Sequence, residues 1–272
     1  MNIWISVDIE GVAGFSHPRD GMPGGPGWME ARGWMTGEAT AACEAARAAG
    51  ARKVVVADGH GLGTNLILDQ LPAWVEVVSS WPRPLLIAQG AESDQFHGAA
   101  LIGHHHGARQ GGMLAHTVHG GRFTDIRVNG KTATETSLHA AVLAELGVPV
   151  IMVSGDQAYC DHARELLGDV VTVVTKHGHG YQSGRSVTPA RSRELIAAGM
   201  AEAMAGIDRF TPLPADAPYE VEADMVRTVE AELYGYLPGL ENTRGNTVRF
   251  VSDTAAEVVR ILMFMACMHS EI

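Results

Sequence analysis

Apolar residues fall in short runs along the first two-thirds of the chain, separated by alanine-rich stretches and by clusters of glycine and histidine. NIWISVD (2–8), KVVVAD (53–58), WVEVVS (74–79), GAALIG (98–103), VPVIMVSGD (148–156) and VVTVVT (170–175) read as strands. KVVVAD is continuously apolar, as strands buried on both faces of a parallel sheet are. The stretch from Trp28 to about Ala49 is rich in alanine, lacks proline and ends at Gly50, which predicts a helix with a glycine stop. A second helix, TETSLHAAVLAELG (134–147), closes on Gly147, and Asp156 is placed to cap a third. TPARSRELIAAGMAEAMAG (188–206) starts with Thr188 as cap and Pro189 in the first turn. FTDIRVNGK (123–131) alternates and reaches Asn129-Gly130, a tight-turn signal. Strand–loop–helix–strand repetition predicts an α/β fold, three layers α/β/α around a mostly parallel sheet. TPLPADAP (211–218) reads as a linker. A short strand (about 219–223), a helix (about 224–233), a strand near 247–251 and a final helix from Asp253 follow. The expected organisation is an α/β domain over 1–210, with 211–272 as a smaller C-terminal elaboration packed on it.

A chain of 272 residues suffices for a substantial core. Its net charge of −11 leaves no basic patch for phosphates, which argues against nucleic acid or anionic membrane as a partner. Apolar runs such as VVVA and ILMFMA are too short to span a bilayer. The N-terminus runs straight into a strand, so no secretory signal is expected. The three cysteines, Cys43, Cys160 and Cys267, are an odd number and form no CxxC. Reduced thiols in a cytoplasmic protein are the simplest reading. Cys43 and Cys267 lie in alanine- or methionine-rich helical stretches and read as core filler.

The chemistry gathers at strand ends. Residues two apart in a strand share a face, so Asp8 and Glu10 project together from the C-terminal end of the first strand, the edge where open α/β sheets bind ligands. The second strand ends in Asp58-Gly59-His60 and the fourth runs into His104-His105-His106. Glu135 opens a helix and shares an inward stripe with Leu138, Val142 and Leu146. Converging carboxylates repel one another. Carboxylates with imidazoles make a site for a divalent metal. Oxygen and nitrogen donors without thiolate favour Zn²⁺, with Mn²⁺, Co²⁺ or Fe²⁺ as further candidates. The donors outnumber those of one tetrahedral zinc, which points to a carboxylate bridging two ions and to hydrolysis. The plainer readings are a turn or cap for Asp58, ordinary surface or core positions for His17, His97, His162 and His269, and an exposed loop for the triple histidine. No HExxH, GxSxG or Walker A motif occurs. GHGLG (59–63) has GxGxG spacing and no glycine-opened helix behind it, unlike a dinucleotide turn.

These residues, taken together, resemble the D-aminopeptidase DppA family, the M55 group of zinc peptidases. The matching elements are SVDIEG (6–11), VVVADGHG (54–61), ALIGHHHGA (100–108), GGMLAHT (111–117), NGKTATET (129–136) and VPVIMVSGDQ (148–157). The resemblance implies two zinc ions per subunit, with Asp8 bridging. Glu10 and a histidine of the triple run would complete one ion's set, and His60 with Glu135 the other's. Register from ALIG and the distance to GGMLAHT choose His105 as that histidine; His104 then takes a place usually held by an aromatic. His116 matches the family's catalytic histidine. The resemblance further implies aminopeptidase activity on short peptides or amino-acid amides, with D-residues a candidate class, and a homo-oligomer of pentameric rings stacked as a decamer. Two other readings stand beside it: a metal-dependent amidohydrolase of the creatininase or lactam-cleaving kind, and a non-catalytic metal-binding assembly protein.

Overall fold

The computed structural model describes residues 1–268, so His269 lies outside the described residues. In chain order the elements are β1 (Asn2–Val7), α1 (Trp28–Ala48), β2 (Lys53–Asp58), β3 (Glu76–Val78), β4 (Gly98–His104), β5 (Phe123–Val128), β6 (Lys131–Thr132), α2 (Glu135–Glu145), β7 (Val150–Asp156), α3 (Gln157–Leu167), β8 (Val171–Gly178), β9 (Gly184–Ser186), α4 (Pro189–Ala205), β10 (Tyr219–Met225), α5 (Thr228–Tyr234), β11 (Glu241–Arg244), β12 (Thr247–Ser252) and α6 (Ala255–Cys267).

Seven strands form the central sheet in the order β3-β2-β1-β4-β7-β8-β9. All its pairings are parallel except that of the short β9 with β8. Helices cover both faces, which is why the strands are apolar on both. Ile3, Ile5 and Val7 pack with Met35 and Ala39 of α1 and Ile196 and Met200 of α4. Trp4, Val55 and Leu101 pack on the opposite face with Ala140 and Leu143 of α2 and Tyr159 of α3. This is the expected three-layer α/β/α arrangement. Val7 is level with Asp58 of β2 and with Ile102 of β4. The three central strands therefore end side by side.

A second, antiparallel sheet runs β11-β12-β10-β5-β6. Its members come from two distant parts of the chain: Val221 of β10 lies opposite Val128 of β5. α2 is wedged between the two sheets. Its Leu138 and Val142 belong to a core with Ile126, Val221, Phe250 and Leu262, while Ala140 and Leu143 face the parallel sheet. Leu146, expected on the same inward stripe, ends α2 as its C-cap and is exposed.

Several boundaries differ from the sequence reading, three of them for a tertiary reason. β3 starts at Glu76 rather than Trp74 because Val75 N–H donates to the Pro72 carbonyl (3.0 Å) in a turn. The helix expected from 224 begins at Thr228. Asp224 instead stays in β10, where it receives Arg127 of β5 (2.8 Å) and Thr247 of β12 (2.7 Å). β8 continues through His177 to Gly178 because β9 folds back on it. The thiols of Cys43, Cys160 and Cys267 are all free. Cys43 is core as expected, but Cys267 is exposed, since it is the last residue of α6 and lies at the mouth of a cavity.

Candidate metal centre

β1 lies between β2 and β4, so its end is flanked by theirs. Asp8 follows β1 directly and divides its carboxylate between the two neighbours. Oδ1 is 3.3 Å from His60 Nδ1, carried on the loop after β2, and Oδ2 is 3.3 Å from His105 Nε2, just past β4. Glu10 Oε2 lies 3.0 Å from the same His60 nitrogen. Glu135 Oε1, in the first turn of α2, lies 3.5 Å from the same His105 nitrogen. The site thus has two halves that share Asp8. Glu10 stands nearest His60 and Glu135 nearest His105, while Asp8, Glu10 and His105, the set the resemblance gave to one ion, also have ligand atoms within 4.8 Å of one another. Zinc holds nitrogen and oxygen donors at about 2.0–2.2 Å, so two donors on one ion stand about 3–4 Å apart. The four separations match that spacing, and the residues fit divalent zinc.

The imidazoles are oriented for this role. His60 Nε2 is 3.0 Å from the Gly21 carbonyl, His105 Nδ1 is 2.8 Å from the His106 carbonyl, and His116 Nδ1 is 2.9 Å from the Leu114 carbonyl. In each ring one nitrogen is tied to a backbone carbonyl, which leaves the other for a metal or a proton, the arrangement found behind metal-bound histidines. His116 stacks on His105 with ring centroids 4.1 Å apart. Glu135 Oε1 also accepts from Val118 N–H (2.8 Å).

Asp58 is a loop anchor. It accepts from Asn65 N–H (2.5 Å) and Leu66 N–H (2.7 Å), which shapes the loop that carries His60. His17 accepts from Arg19 N–H at a helix start (3.2 Å), His97 accepts from Asn2 N–H (3.2 Å), and His162 stacks on His106, all away from the carboxylates.

β1 ends at Val7, one residue short of Asp8, and the chain then turns, with Val12 N–H donating to the Ile9 carbonyl (3.0 Å). Gly11 permits the turn, because a Cβ there would meet the His104 carbonyl at 2.0 Å. Lys176, near the end of β8 and almost fully buried, clamps this loop. Its Nζ donates to the carbonyls of Glu10, Val12 (3.2 Å) and Phe15 (2.6 Å). Burial pushes its pKa down to about 8. Lys176→Met leaves the carbonyls of Glu10 and Phe15 without their donor, each costing about 1–3 kcal/mol, while the Val12 carbonyl keeps the Phe15 N–H (3.2 Å). The expected result is a loss of roughly 3 kcal/mol or more of stability in urea unfolding and weaker zinc binding through a loosened Glu10. A variant with unaltered stability and zinc affinity would show that the clamp is dispensable. Sequence reasoning passed over Lys176, although a lysine ending an apolar strand is the same kind of signal as Asp8.

Before metal enters, protons supply the positive charge. Burial alone would raise the Asp8 pKa, but hydrogen bonds from His105 and His60 hold it well below the usual carboxylate range. Burial opposes the charging of His60, yet Glu10 and Asp8 lift it well above the ordinary imidazole value. His105, equally buried, is lifted by Glu135 and Asp8 to about 10. The carboxylates thus favour the protonated form of both rings, and a ring must give up that proton to bind metal. Zinc titration at pH 7 is expected to release protons from both, and affinity is expected to rise with pH. Calorimetry in two buffers of different ionisation enthalpy measures the release. Identical heats in both would contradict it.

The centre opens into a cavity of about 690 Å³, in the range for small-molecule sites. Trp81, Leu86, Ile87 and Met263 give it apolar walls, and His116 and Arg122 line it as well.

Comparison with known proteins agrees with this architecture. The sequence model of the peptidase family M55, D-aminopeptidase, matches residues 1–264. The chain belongs to the M55 family. A Bacillus subtilis (strain 168) D-aminopeptidase is 28% identical over 267 residues, covering 97% of this chain and 96% of that relative. The solved structure of the Zn-dependent D-aminopeptidase DppA from Bacillus subtilis, described as a self-compartmentalizing protease, matches with a TM-score of 0.92 at 26% identity over 100% of both chains. This M55 chain is accordingly a metal-dependent hydrolase of the aminopeptidase class. None of its described helices is long and apolar enough to cross a membrane.

Proposed function

We propose that the chain is a dinuclear zinc aminopeptidase that removes the N-terminal residue of short peptides or amino-acid amides, D-residues included. The division of Asp8 between His60 and His105, 3.3 Å on each side, carries this reading. Asp8, Glu10 and His60 would hold one ion; Asp8, His105 and Glu135 would hold the other. Zinc bound there supplies Lewis-acid polarisation of the scissile carbonyl and a water made acidic enough to attack at neutral pH. The rest is done by side chains. Gly21 and His106 carbonyls fix the faces that His60 and His105 present. His116, held at Nδ1 by the Leu114 carbonyl, has Nε2 free to move a proton to the leaving amine. Trp81, Leu86 and Ile87 take the apolar part of the substrate and exclude water. We assign the working form to a homo-oligomer, pentameric rings stacked as a decamer, a reading supported by the self-compartmentalizing relative. The free thiols support a reducing, cytoplasmic setting.

A panel of D- and L-aminoacyl amides, N-acetylated counterparts and cyclic amides tests the reading on zinc-loaded enzyme. Free-amine linear amides are expected to be cleaved, and N-acetylation is expected to remove the activity. Turnover of lactams alone would assign the centre to another amidohydrolase class.

A further inference from the structure

Among the buried imidazoles that the sets above leave unused, one faces the carboxylates. His104, the last residue of β4, is 1% exposed. Its Nε2 hydrogen-bonds with Ser6 Oγ (3.1 Å), inside the sheet. Its Nδ1 has no hydrogen-bond partner and lies 4.0 Å from Asp8 Oδ2. Ligand atoms of Asp8, His104 and Glu135 all lie within 4.8 Å of one another. A proton on Nδ1 would find no acceptor there, whereas a lone pair on Nδ1 faces the place where Asp8 and Glu135 converge. A separation of 4.0 Å between two donors falls in the spacing that a shared zinc imposes. The ring is also fixed. β4 is hydrogen-bonded between β1 and β7, and the strand bends at Gly103, whose φ is +69° and where a Cβ would meet the Asp8 carbonyl at 2.4 Å.

We propose that His104 is a third imidazole ligand of the centre, binding through Nδ1 to the ion held by Asp8, His105 and Glu135. The inference rests on the dinuclear reading and extends it. A second nitrogen donor on that ion raises its coordination number and favours Zn²⁺ and Co²⁺ over Mn²⁺, which prefers oxygen.

The full chain, stripped of metal and titrated with Zn²⁺, Co²⁺ or Mn²⁺ alone against a chelator, tests this. In His104→Phe the weaker zinc constant is expected to fall about 10–100-fold, at least the loss seen when metal-site support is removed. The Zn²⁺ to Mn²⁺ preference is expected to narrow, and the visible d–d bands of the Co²⁺ protein to intensify as coordination number drops. His97→Phe is the control: that ring is exposed and accepts from Asn2 N–H at the opposite end of β1, and its metal binding is expected to stay unchanged. Zinc constants within twofold of the unmodified chain and superimposable Co²⁺ spectra in His104→Phe overturn the proposal. X-ray absorption of the unmodified zinc-loaded protein needs no variant. Three imidazoles per pair of zincs are expected, and a count of two also overturns it. If the unmodified chain takes up no zinc, the dinuclear reading itself fails and takes this inference with it.

Discussion

Asp8→Ala is expected to empty the metal position beside His60, to weaken the one beside His105, and to lower kcat/KM by about 10⁴-fold or more, since it removes two preorganised charge contacts, each worth about 10²–10³. Without Asp8, His60 keeps only Glu10 (3.0 Å) and His105 keeps only Glu135 (3.5 Å). The two donors left beside His60 do not make a zinc site, which needs at least three from protein, and the His105 side would reach three only through the proposed His104. Asp8→Asn separates charge from shape. The amide oxygen can still accept from Ile9 N–H, which Asp8 Oδ1 does at 2.8 Å, so the fold is expected to melt near its normal temperature while metal is lost. Elemental analysis after dialysis reads the outcome. The double variant Asp8→Ala with Glu135→Ala is the harsher form. If it retained its full metal content, the proposed centre would be in the wrong place.

Removing His116 gives the second large effect, with the opposite signature. His116→Ala is expected to keep both zincs, because Asp8, Glu10, His60, His105 and Glu135 remain. Its kcat is expected to fall about 10²–10⁴-fold, the usual contribution of a positioned acid or base, with a modest change in KM. His116 also stacks on His105 at 4.1 Å, so alanine could act by unpacking a ligand. His116→Phe keeps the stack and removes the proton carrier. The same loss in kcat is expected from it. Recovery of activity in the phenylalanine variant would reduce His116 to a packing role.

How much of this could be read from the sequence follows from how local each signal is. The parallel sheet was legible because KVVVAD and VPVIMVSGD carry their two-sided burial in their own composition. Asp8, Glu10, His60, His105 and Glu135 stood out because each interrupts or ends an apolar element. Their grouping was not legible. It depends on β1 lying between β2 and β4, and no local pattern states strand order. The antiparallel sheet was hidden for the same reason: β5 and β10 pair across a long stretch of chain. Asp224 looked like the start of a helix until Arg127 and Thr247 claimed it for a strand. Lys176 was missed, and His104 was set behind His105, because the importance of each lies in what its polar atoms face, and residue type alone does not carry that.

The position of α2 has a consequence for the life of the chain. Every proposed ligand has been synthesised once residue 135 is made. The helix that carries Glu135 nevertheless rests on Val221, Phe250 and Leu262, which are synthesised long afterwards. A nascent or truncated chain therefore holds all the donors without the wall that brings Glu135 to His105. Synthesis proceeds from the N-terminus, so the proposed centre would be complete only in the finished polypeptide, and a copy truncated before β10 is expected to bind zinc weakly.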